Sequence, residues 1–166
     1  MGRFRSPKLN LEFQPWPNTH LAVLIDYVRK TDGPVLELGI GPGSTLVLHE
    51  LCRGRKLVSY EYSKDFYDAF AGFKSEDHDI VHAPDWDAVD FGEGWDIAFV
   101  DHSPAARRKK DLPRLIDCAQ YVIVHDTEPD VDRFYLYSGS LNLYKYRKDY
   151  TSYKPYTTVL SNFHAL

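Results

Sequence analysis

The chain has 166 residues, of which 43% are hydrophobic and 27% are charged, and its formal net charge is −4. This length and composition predict one soluble globular domain with a single sizeable core. The acidic balance argues against a general affinity for nucleic acid, because nucleic-acid-binding domains are usually basic. The two cysteines, Cys52 and Cys118, lack the spacing of a disulfide framework or a zinc site.

The amino-terminal segment, residues 1–17, is predicted to be irregular, since it holds charges and prolines but no continuous apolar stretch. We therefore expect neither a signal peptide nor a membrane span, and a cytoplasmic protein. Residues 18–166 are expected to form the single folded domain.

The first part of this domain alternates between helix and strand patterns. Asn18 and Thr19 offer a helix N-cap, and apolar residues at helical spacing extend the predicted helix to about Lys30. A strand, a helix, a second strand and a third helix then follow, predicted over Val35–Leu38, Ser44–Leu51, Leu57–Glu61 and Ser63 to about Phe73.

The second part continues the alternation and then changes character. Further strands are predicted over 79–83, 95–101 and 121–124, with a helix marked by Leu112, Leu115, Ile116 and Ala119. After Asp130, the β-prone stretches Leu143–Tyr150 and Tyr156–Ser161 are too close for a crossover helix, so they should pair antiparallel. The pattern predicts an α/β three-layer sandwich with a doubly wound, mostly parallel sheet that ends in an antiparallel hairpin.

A glycine-rich turn, Glu37-Leu38-Gly39-Ile40-Gly41-Pro42-Gly43-Ser44, joins the first strand to the next helix. Glycines allow positive φ and close approach of a ligand, and the helix amino terminus favours an anionic group. The turn does not fit the G-x-G-x-x-G of dinucleotide-binding domains, because Ser44 or Leu46 stands at the third glycine position. It also lacks the Gly-Lys-Ser/Thr of a P-loop.

An acidic residue followed by G-x-G-x-G at the end of the first strand resembles motif I of the class I S-adenosylmethionine-dependent methyltransferases. The resemblance covers about residue 18 to the carboxyl terminus and implies a Rossmann-like domain that binds S-adenosylmethionine. It implies that Glu61 binds the ribose hydroxyls and that Asp85 and Trp86 contact the adenine. The full set of implied cofactor-binding residues is Glu37, Gly39, Gly41, Gly43, Ser44, Glu61, Tyr62, Asp85, Trp86 and Asp101.

Polar residues follow the fourth and fifth strands, where ligands of open α/β sheets bind. Methyl transfer to a hydroxyl requires donor and acceptor in line and removal of a proton. We expect the catalytic residues to be Asp101, His102, His125 and Asp126, with His102 or His125 as general base. Each histidine could instead form a structural hydrogen-bonded pair with a strand-end aspartate.

Asp101 and Asp126 also look similar to the magnesium-binding carboxylates of the catechol-type O-methyltransferases. Thr127 stands where that family has asparagine, and a hydroxyl is a poorer magnesium ligand than an amide oxygen. We therefore expect an active site that binds no metal ion and keep a magnesium site as the alternative.

Three tyrosines and one basic run are further candidates for contacts with the substrate. Tyr135, Tyr137 and Tyr144 could line an aromatic acceptor pocket, pack in the core or form a homodimer face. The basic run 107–110 at the start of a predicted helix is typical of a solvated surface, with recognition of an anionic substrate as the alternative.

The leading functional hypothesis is a methyltransferase that acts on a small-molecule acceptor, at an oxygen atom. Two alternatives stay open, an aminopropyl transferase that uses decarboxylated S-adenosylmethionine and a non-catalytic S-adenosylmethionine-binding module. Nucleic acid and membranes are not expected as partners.

Overall fold

The computed structural model describes residues 18–166, and the segment predicted to be irregular lies outside the described residues. The strands are β1 (Val35–Leu38), β2 (Leu57–Glu61), β3 (His78–His82), β4 (Trp95–Val100), β5 (Ala119–His125), β6 (Tyr146–Tyr150) and β7 (Thr157–Ser161). The α-helices are α1 (Leu21–Arg29), α2 (Ser44–Leu51), α3 (Lys64–Phe70), α4 (Arg108–Asp111), α5 (Asp132–Tyr135) and α6 (Ser138–Leu141). Within the described range, no helix is both long and apolar enough to cross a membrane.

The strands form one sheet in the order β3-β2-β1-β4-β5-β7-β6. Strands β1 to β5 run parallel, whereas β7 pairs antiparallel with both β5 and β6. Leu38 is in register with Tyr60 of β2 and with Val100 of β4, so the carboxyl ends of three neighbouring strands lie at one level. This sheet confirms the predicted α/β fold with its antiparallel end.

Successive residues of a strand point to opposite faces of the sheet, and both faces of this sheet are covered. Leu36 and Val100 pack in one hydrophobic cluster, while Val35 and Phe99 pack in a second cluster with α1. Burial of both faces explains why the central strands are continuous apolar runs rather than alternating patterns. The two clusters separate the three layers of the sandwich.

The segment between β4 and β5 differs from the single predicted helix. It consists of α4 between two 3-10 turns, Ala105–Arg107 and Leu112–Leu115, and Ala119 already belongs to β5. Pro113 lies in the second turn, and proline removes the backbone donor that a longer α-helix would need. Helices α5 and α6 have four residues each, which is too short to produce a helical period in the sequence.

Candidate functional site

The glycine turn lies at the carboxyl end of β1 and is packed directly against the end of β4. Gly39 has φ +97°, and a Cβ at this position would lie 2.7 Å from the carbonyl carbon and oxygen of Asp101. Only glycine meets both constraints, since L side chains rarely adopt this φ. Gly43 is closed over by the side chain of Asn18, whereas a Cβ on Gly41 would meet no described atom within 4 Å. The turn is therefore open only at its tip.

Glu37 lies beneath this turn and is fully buried. Its carboxyl group accepts hydrogen bonds from the hydroxyls of Thr45 at 2.9 Å and Ser59 at 2.5 Å. Burial nevertheless raises the pKa of Glu37 to about 7, although these hydroxyls oppose the change. Glu37 thus joins β1, β2 and α2 below the turn.

Glu61 is the last residue of β2, and its carboxylate is hydrogen-bonded to the glycine turn. Its Oε2 accepts the N–H of Ile40 at 2.8 Å, and its Oε1 accepts the N–H of Ser63 at 2.7 Å. Burial raises the pKa of Glu61, and the two N–H groups oppose that change. A carboxylate offers about four acceptor positions, so the group can accept further donors. The next residue, Tyr62, has 46% of its surface exposed beside it.

The structure separates Asp85 from Trp86 after β3. Asp85 is exposed, and its carboxylate caps the N–H of Asp87. Trp86 is buried in the core, where its Nε1 donates to the carbonyl of Ser103 at 2.9 Å and its ring contacts His102. Trp86 therefore offers no open ring face for stacking. We call Glu37, the glycine turn 39–43, Glu61 and Tyr62 the β1–β2 half of the site.

The ends of β4 and β5 bring Asp101 and His125 together. The Nδ1 atom of His125 lies 3.3 Å from Oδ2 of Asp101 and 3.6 Å from Oδ1 of Asp126. Asp126 has φ 58°, a left-handed conformation that is uncommon outside glycine and asparagine-like residues. We call Asp101, Arg108, His125 and Asp126 the β4–β5 half of the site.

Arg108 is the centre of this half, and its guanidinium is buried. It donates to Oδ1 of Asp101 at 2.8 Å and to Oδ2 of Asp126 at 3.2 Å. It also donates to the backbone carbonyls of His102 and His125, which tie the ends of the two strands together. Burial raises the pKa of Asp101, but the contact with His125 and the charge of Arg108 outweigh it and hold this pKa below its usual value.

Arg107 and Arg108 therefore do not belong to the solvated surface that the composition of the basic run suggested. Arg107 and Arg108 are drawn inward by aspartates that are distant in sequence or one helical turn away. No local pattern distinguishes them from Lys110, which is exposed. The one sequence feature that could have indicated Arg108 is its position between β4 and β5, two strands that are each followed by an aspartate.

His102 is turned away from the cleft and fully buried. Its Nε2 lies 2.9 Å from Oδ2 of Asp111, which also binds Arg107 and Arg114. Burial lowers the pKa of His102. The Asp111 carboxyl has its pKa lowered to about 2, since its hydrogen bonds to His102, Arg107 and Arg114 outweigh the effect of burial. These contacts favour the structural interpretation of His102, with Asp111 as partner.

His20 is the site residue that sequence reasoning missed. It occupies the N-cap position of α1 without a side-chain cap bond, in place of the predicted Asn18 or Thr19 cap. Its ring centroid lies 4.4 Å from that of His125 and 5.0 Å from that of Phe99. Burial lowers its pKa to about 4, and the nearby His125 adds to this effect. A tertiary contact with His125, 105 positions along the chain, brings it to β5, and no local motif encodes this contact.

Asp101, Asp126 and Thr127, at the positions of the magnesium ligands of the catechol-type O-methyltransferases, do not form a magnesium site here. Arg108 pairs with one oxygen of Asp101 and one of Asp126, the two carboxylates that would hold the ion. The hydroxyl of Thr127 is buried against Thr158 of β7 at 2.9 Å. This donor set does not fit magnesium between the two aspartates.

The three tyrosines considered for an acceptor pocket have different environments. The hydroxyl of Tyr135 donates to Oδ2 of Asp126 at 3.2 Å, and its ring lies under the Arg108 guanidinium. Tyr137 and Tyr144 are buried in the core, where the Tyr144 hydroxyl donates to the carbonyl of Leu112. Of the three, Tyr135 is therefore the one at the β4–β5 half.

No protein-family model matches this sequence, and no curated protein matches it. Solved structures do match. The O-methyltransferase TomG from Streptomyces achromogenes, solved in complex with SAM, is 17% identical with a TM-score of 0.63 over 87% of this chain and 79% of that chain. A SAM-dependent O-methyltransferase from Thermotoga maritima is 13% identical with a TM-score of 0.61 over 90% of this chain and 65% of that one.

The chain has the class I S-adenosylmethionine-dependent methyltransferase fold. The bifunctional kinase-methyltransferase WbdD shares this methyltransferase fold, with 19% identity and a TM-score of 0.64 over 90% of this chain. This chain spans only 40% of the WbdD chain. At these identities the likeness concerns the fold, and the activity has to be argued from the site.

Proposed function

We propose that this protein is an S-adenosylmethionine-dependent methyltransferase that transfers a methyl group to an oxygen atom of a small-molecule acceptor. The observation that carries the proposal is the Glu61 carboxylate, which is buried at the end of β2 and bonded to the glycine turn through Ile40. TomG and the Thermotoga maritima neighbour are both named as O-methyltransferases, and TomG was solved with SAM.

The residues of the β1–β2 half fit the chemical groups of S-adenosylmethionine. A ribose diol supplies two hydroxyl donors, and Glu61 has acceptor positions left for them. Tyr62 offers an exposed aromatic face and Asp85 an exposed carboxylate for the adenine. The amino terminus of α2, with Ser44 and the turn residues 39–43, suits the carboxylate of the methionyl group. The cofactor supplies an activated methyl group on a sulfonium.

The β4–β5 half is assigned to the acceptor. We propose that Asp101, His125 and Asp126 are the catalytic residues, with the His125 imidazole next to Asp101 as the group that handles the hydroxyl proton. His102 is proposed as a positioning residue, because its carbonyl holds Arg108 while its ring binds Asp111.

The cofactor assignment is tested by calorimetric titration of the wild-type protein and of Glu61→Gln with S-adenosylmethionine. We expect about a 10- to 100-fold weaker Kd for Glu61→Gln, since charge-assisted hydrogen bonds contribute roughly 1.5–3 kcal/mol. Asp65→Asn is the matched control, because Asp65 is an exposed carboxylate in the first turn of α3. Its Kd should equal that of the wild type.

A thermal-shift series compares S-adenosylmethionine with S-adenosylhomocysteine, decarboxylated S-adenosylmethionine and NAD, because a ligand that binds the native state raises the unfolding midpoint. A preference for the decarboxylated form would point to aminopropyl transfer instead, and no response to the first two ligands would refute the proposal. Formation of S-adenosylhomocysteine with a panel of phenols, catechols and hydroxy acids then tests catalysis. Cofactor binding without turnover on any acceptor would favour the non-catalytic module.

A further inference from the structure

Three metal-binding side chains converge between the start of α1 and the ends of β4 and β5. One ring nitrogen of His20, one carboxylate oxygen of Asp101 and one ring nitrogen of His125 lie within 4.8 Å of one another. Two imidazoles and one carboxylate form the ligand set of many catalytic zinc sites and of non-haem iron(II) sites. The arrangement is distinct from the Asp101–Asp126 pair, whose facing oxygens are taken by Arg108.

The hydrogen bonds of Thr19 fix which nitrogen of His125 carries the proton. The single hydroxyl proton of Thr19 goes to the carbonyl of Pro155 at 2.5 Å. The Thr19 oxygen, 3.3 Å from Nε2 of His125, must therefore accept from that nitrogen. In a neutral imidazole with its N–H at Nε2, Nδ1 carries a lone pair 3.3 Å from Oδ2 of Asp101. A metal ion beside these two atoms would bind both, in place of the proton that otherwise joins Nδ1 to Asp101.

The side chain of His20 also points to a missing ligand. Only 5% of the residue is exposed, and neither of its ring nitrogens has a hydrogen-bond partner among residues 18–166. Buried polar atoms without a partner are rare and costly. A neutral imidazole with a free lone pair is also the form that binds a metal ion.

Charge and access agree with a bound cation. Asp101 and Asp126 carry two negative charges against the one positive charge of Arg108, which leaves one negative charge uncompensated at the cluster. The side chain of Asp101 is 27% exposed, so solvent or a ligand reaches the carboxylate. Catalytic metal sites keep such an open position, whereas structural zinc sites are closed.

We propose that His20, Asp101 and His125 bind a divalent transition metal of the zinc type through three protein ligands, with a fourth position open to water or to an acceptor oxygen. Binding of the metal does not depend on the proposed methyl transfer. Its role there does rest on that function: a hydroxyl acceptor bound to the metal would release its proton to solvent, and His125 would act as a ligand rather than as the base.

The test uses the full chain, stripped of metal by a chelator and titrated with Zn²⁺ alone, without cofactor or acceptor. His20→Phe is the test variant, because a phenyl ring keeps the packing against Phe99 and removes both ring nitrogens. His164→Phe is the matched control, since His164 is exposed and stacks on Tyr121, far along the chain from the cluster. Thermal unfolding and calorimetry report Zn²⁺ binding, and the visible absorption of the Co²⁺ form reports its coordination.

We expect Zn²⁺ to stabilise the wild type and His164→Phe, and His20→Phe to bind at least about 10-fold more weakly. Equal Zn²⁺ affinity in the wild type and in His20→Phe would overturn the proposal, and so would a wild type that does not respond to Zn²⁺. If His20→Phe does not fold, the Co²⁺ spectrum of the wild type decides alone, and an octahedral, all-oxygen spectrum refutes the site. S-adenosylmethionine binding is measured separately, so failure of the metal site leaves the proposed function untouched.

Discussion

The two halves of the site differ in the elements that they need. In the β1–β2 half, Thr45 bonds Glu37 eight residues away and Ile40 bonds Glu61 twenty-one residues away. In the β4–β5 half, Arg108 bonds Asp101 seven residues away, but Thr19 also contacts His125 across 106 positions. The β1–β2 half therefore lies within one strand–turn–helix–strand unit, whereas the β4–β5 half is completed only when the start of α1 packs against β5.

The two halves also handle charge differently. Glu37 is surrounded by hydroxyls and no cation is bonded to it, so burial dominates and its carboxyl group holds a proton to about pH 7. Asp101 and Asp126 instead share a buried guanidinium, and its charge and the contact with His125 hold the pKa of Asp101 below its usual value. A buried carboxylate at a strand end can therefore serve as a neutral linker or as part of an ion network, depending on its partners.

Removal of the Arg108 guanidinium should cause the largest loss of stability among the variants of the two halves. We expect Arg108→Met to lower the free energy of unfolding by about 3–5 kcal/mol, because it leaves two carboxylates and two strand-end carbonyls without their donor. Lys110→Met changes an exposed member of the same basic run and should cost less than about 0.5 kcal/mol. Urea unfolding measures both variants, and equal losses would contradict the role of Arg108.

Glu37→Gln tests whether the other half contains a neutral carboxyl group. The folded pKa of about 7 lies above the ordinary 4.5, so the folded state binds the proton more tightly and wild-type stability falls as pH rises through that window. A glutamine does not titrate. The stability of Glu37→Gln relative to the wild type should therefore rise by up to about 3 kcal/mol from about pH 5 to pH 8.

The control for this measurement is Glu50→Gln, which alters an exposed glutamate of α2. His20 and His78, whose pKa values are lowered to about 4, titrate in every variant, so their contribution cancels in the difference. A pH-independent difference between Glu37→Gln and the wild type would mean that Glu37 is ionised when buried.

Tyr135→Phe should produce the smallest effect. It removes one partly buried hydrogen bond to Asp126 and leaves the ring under Arg108, so we expect a loss of about 0.5–1.5 kcal/mol in unfolding free energy. Chemical denaturation checks this value, with Tyr153→Phe at an exposed position as the control. A loss as large as that of Arg108→Met would show that the hydroxyl, not the guanidinium, holds the β4–β5 half together.

The range of the contacts explains what could be predicted from the sequence. The antiparallel pairing of the last two strands and the position of the glycine turn followed from local patterns, because each lies within one or two adjacent elements. The inward turn of Arg108 and the approach of His20 depend on partners that only the closed sheet provides. The adenine contact of Trp86 was implied only by the family resemblance, and the burial of its ring in the core depends on packing that the sequence pattern does not show.

The close contact between Gly39 and the backbone of Asp101 leaves no room for even a methyl group between the two halves. A ligand that pushes the turn toward β4 must therefore move the tip of β4 as well, and with it the carboxylate that Arg108 and His125 share. Under the proposed function, we expect occupancy of the donor site to change the affinity of the acceptor site.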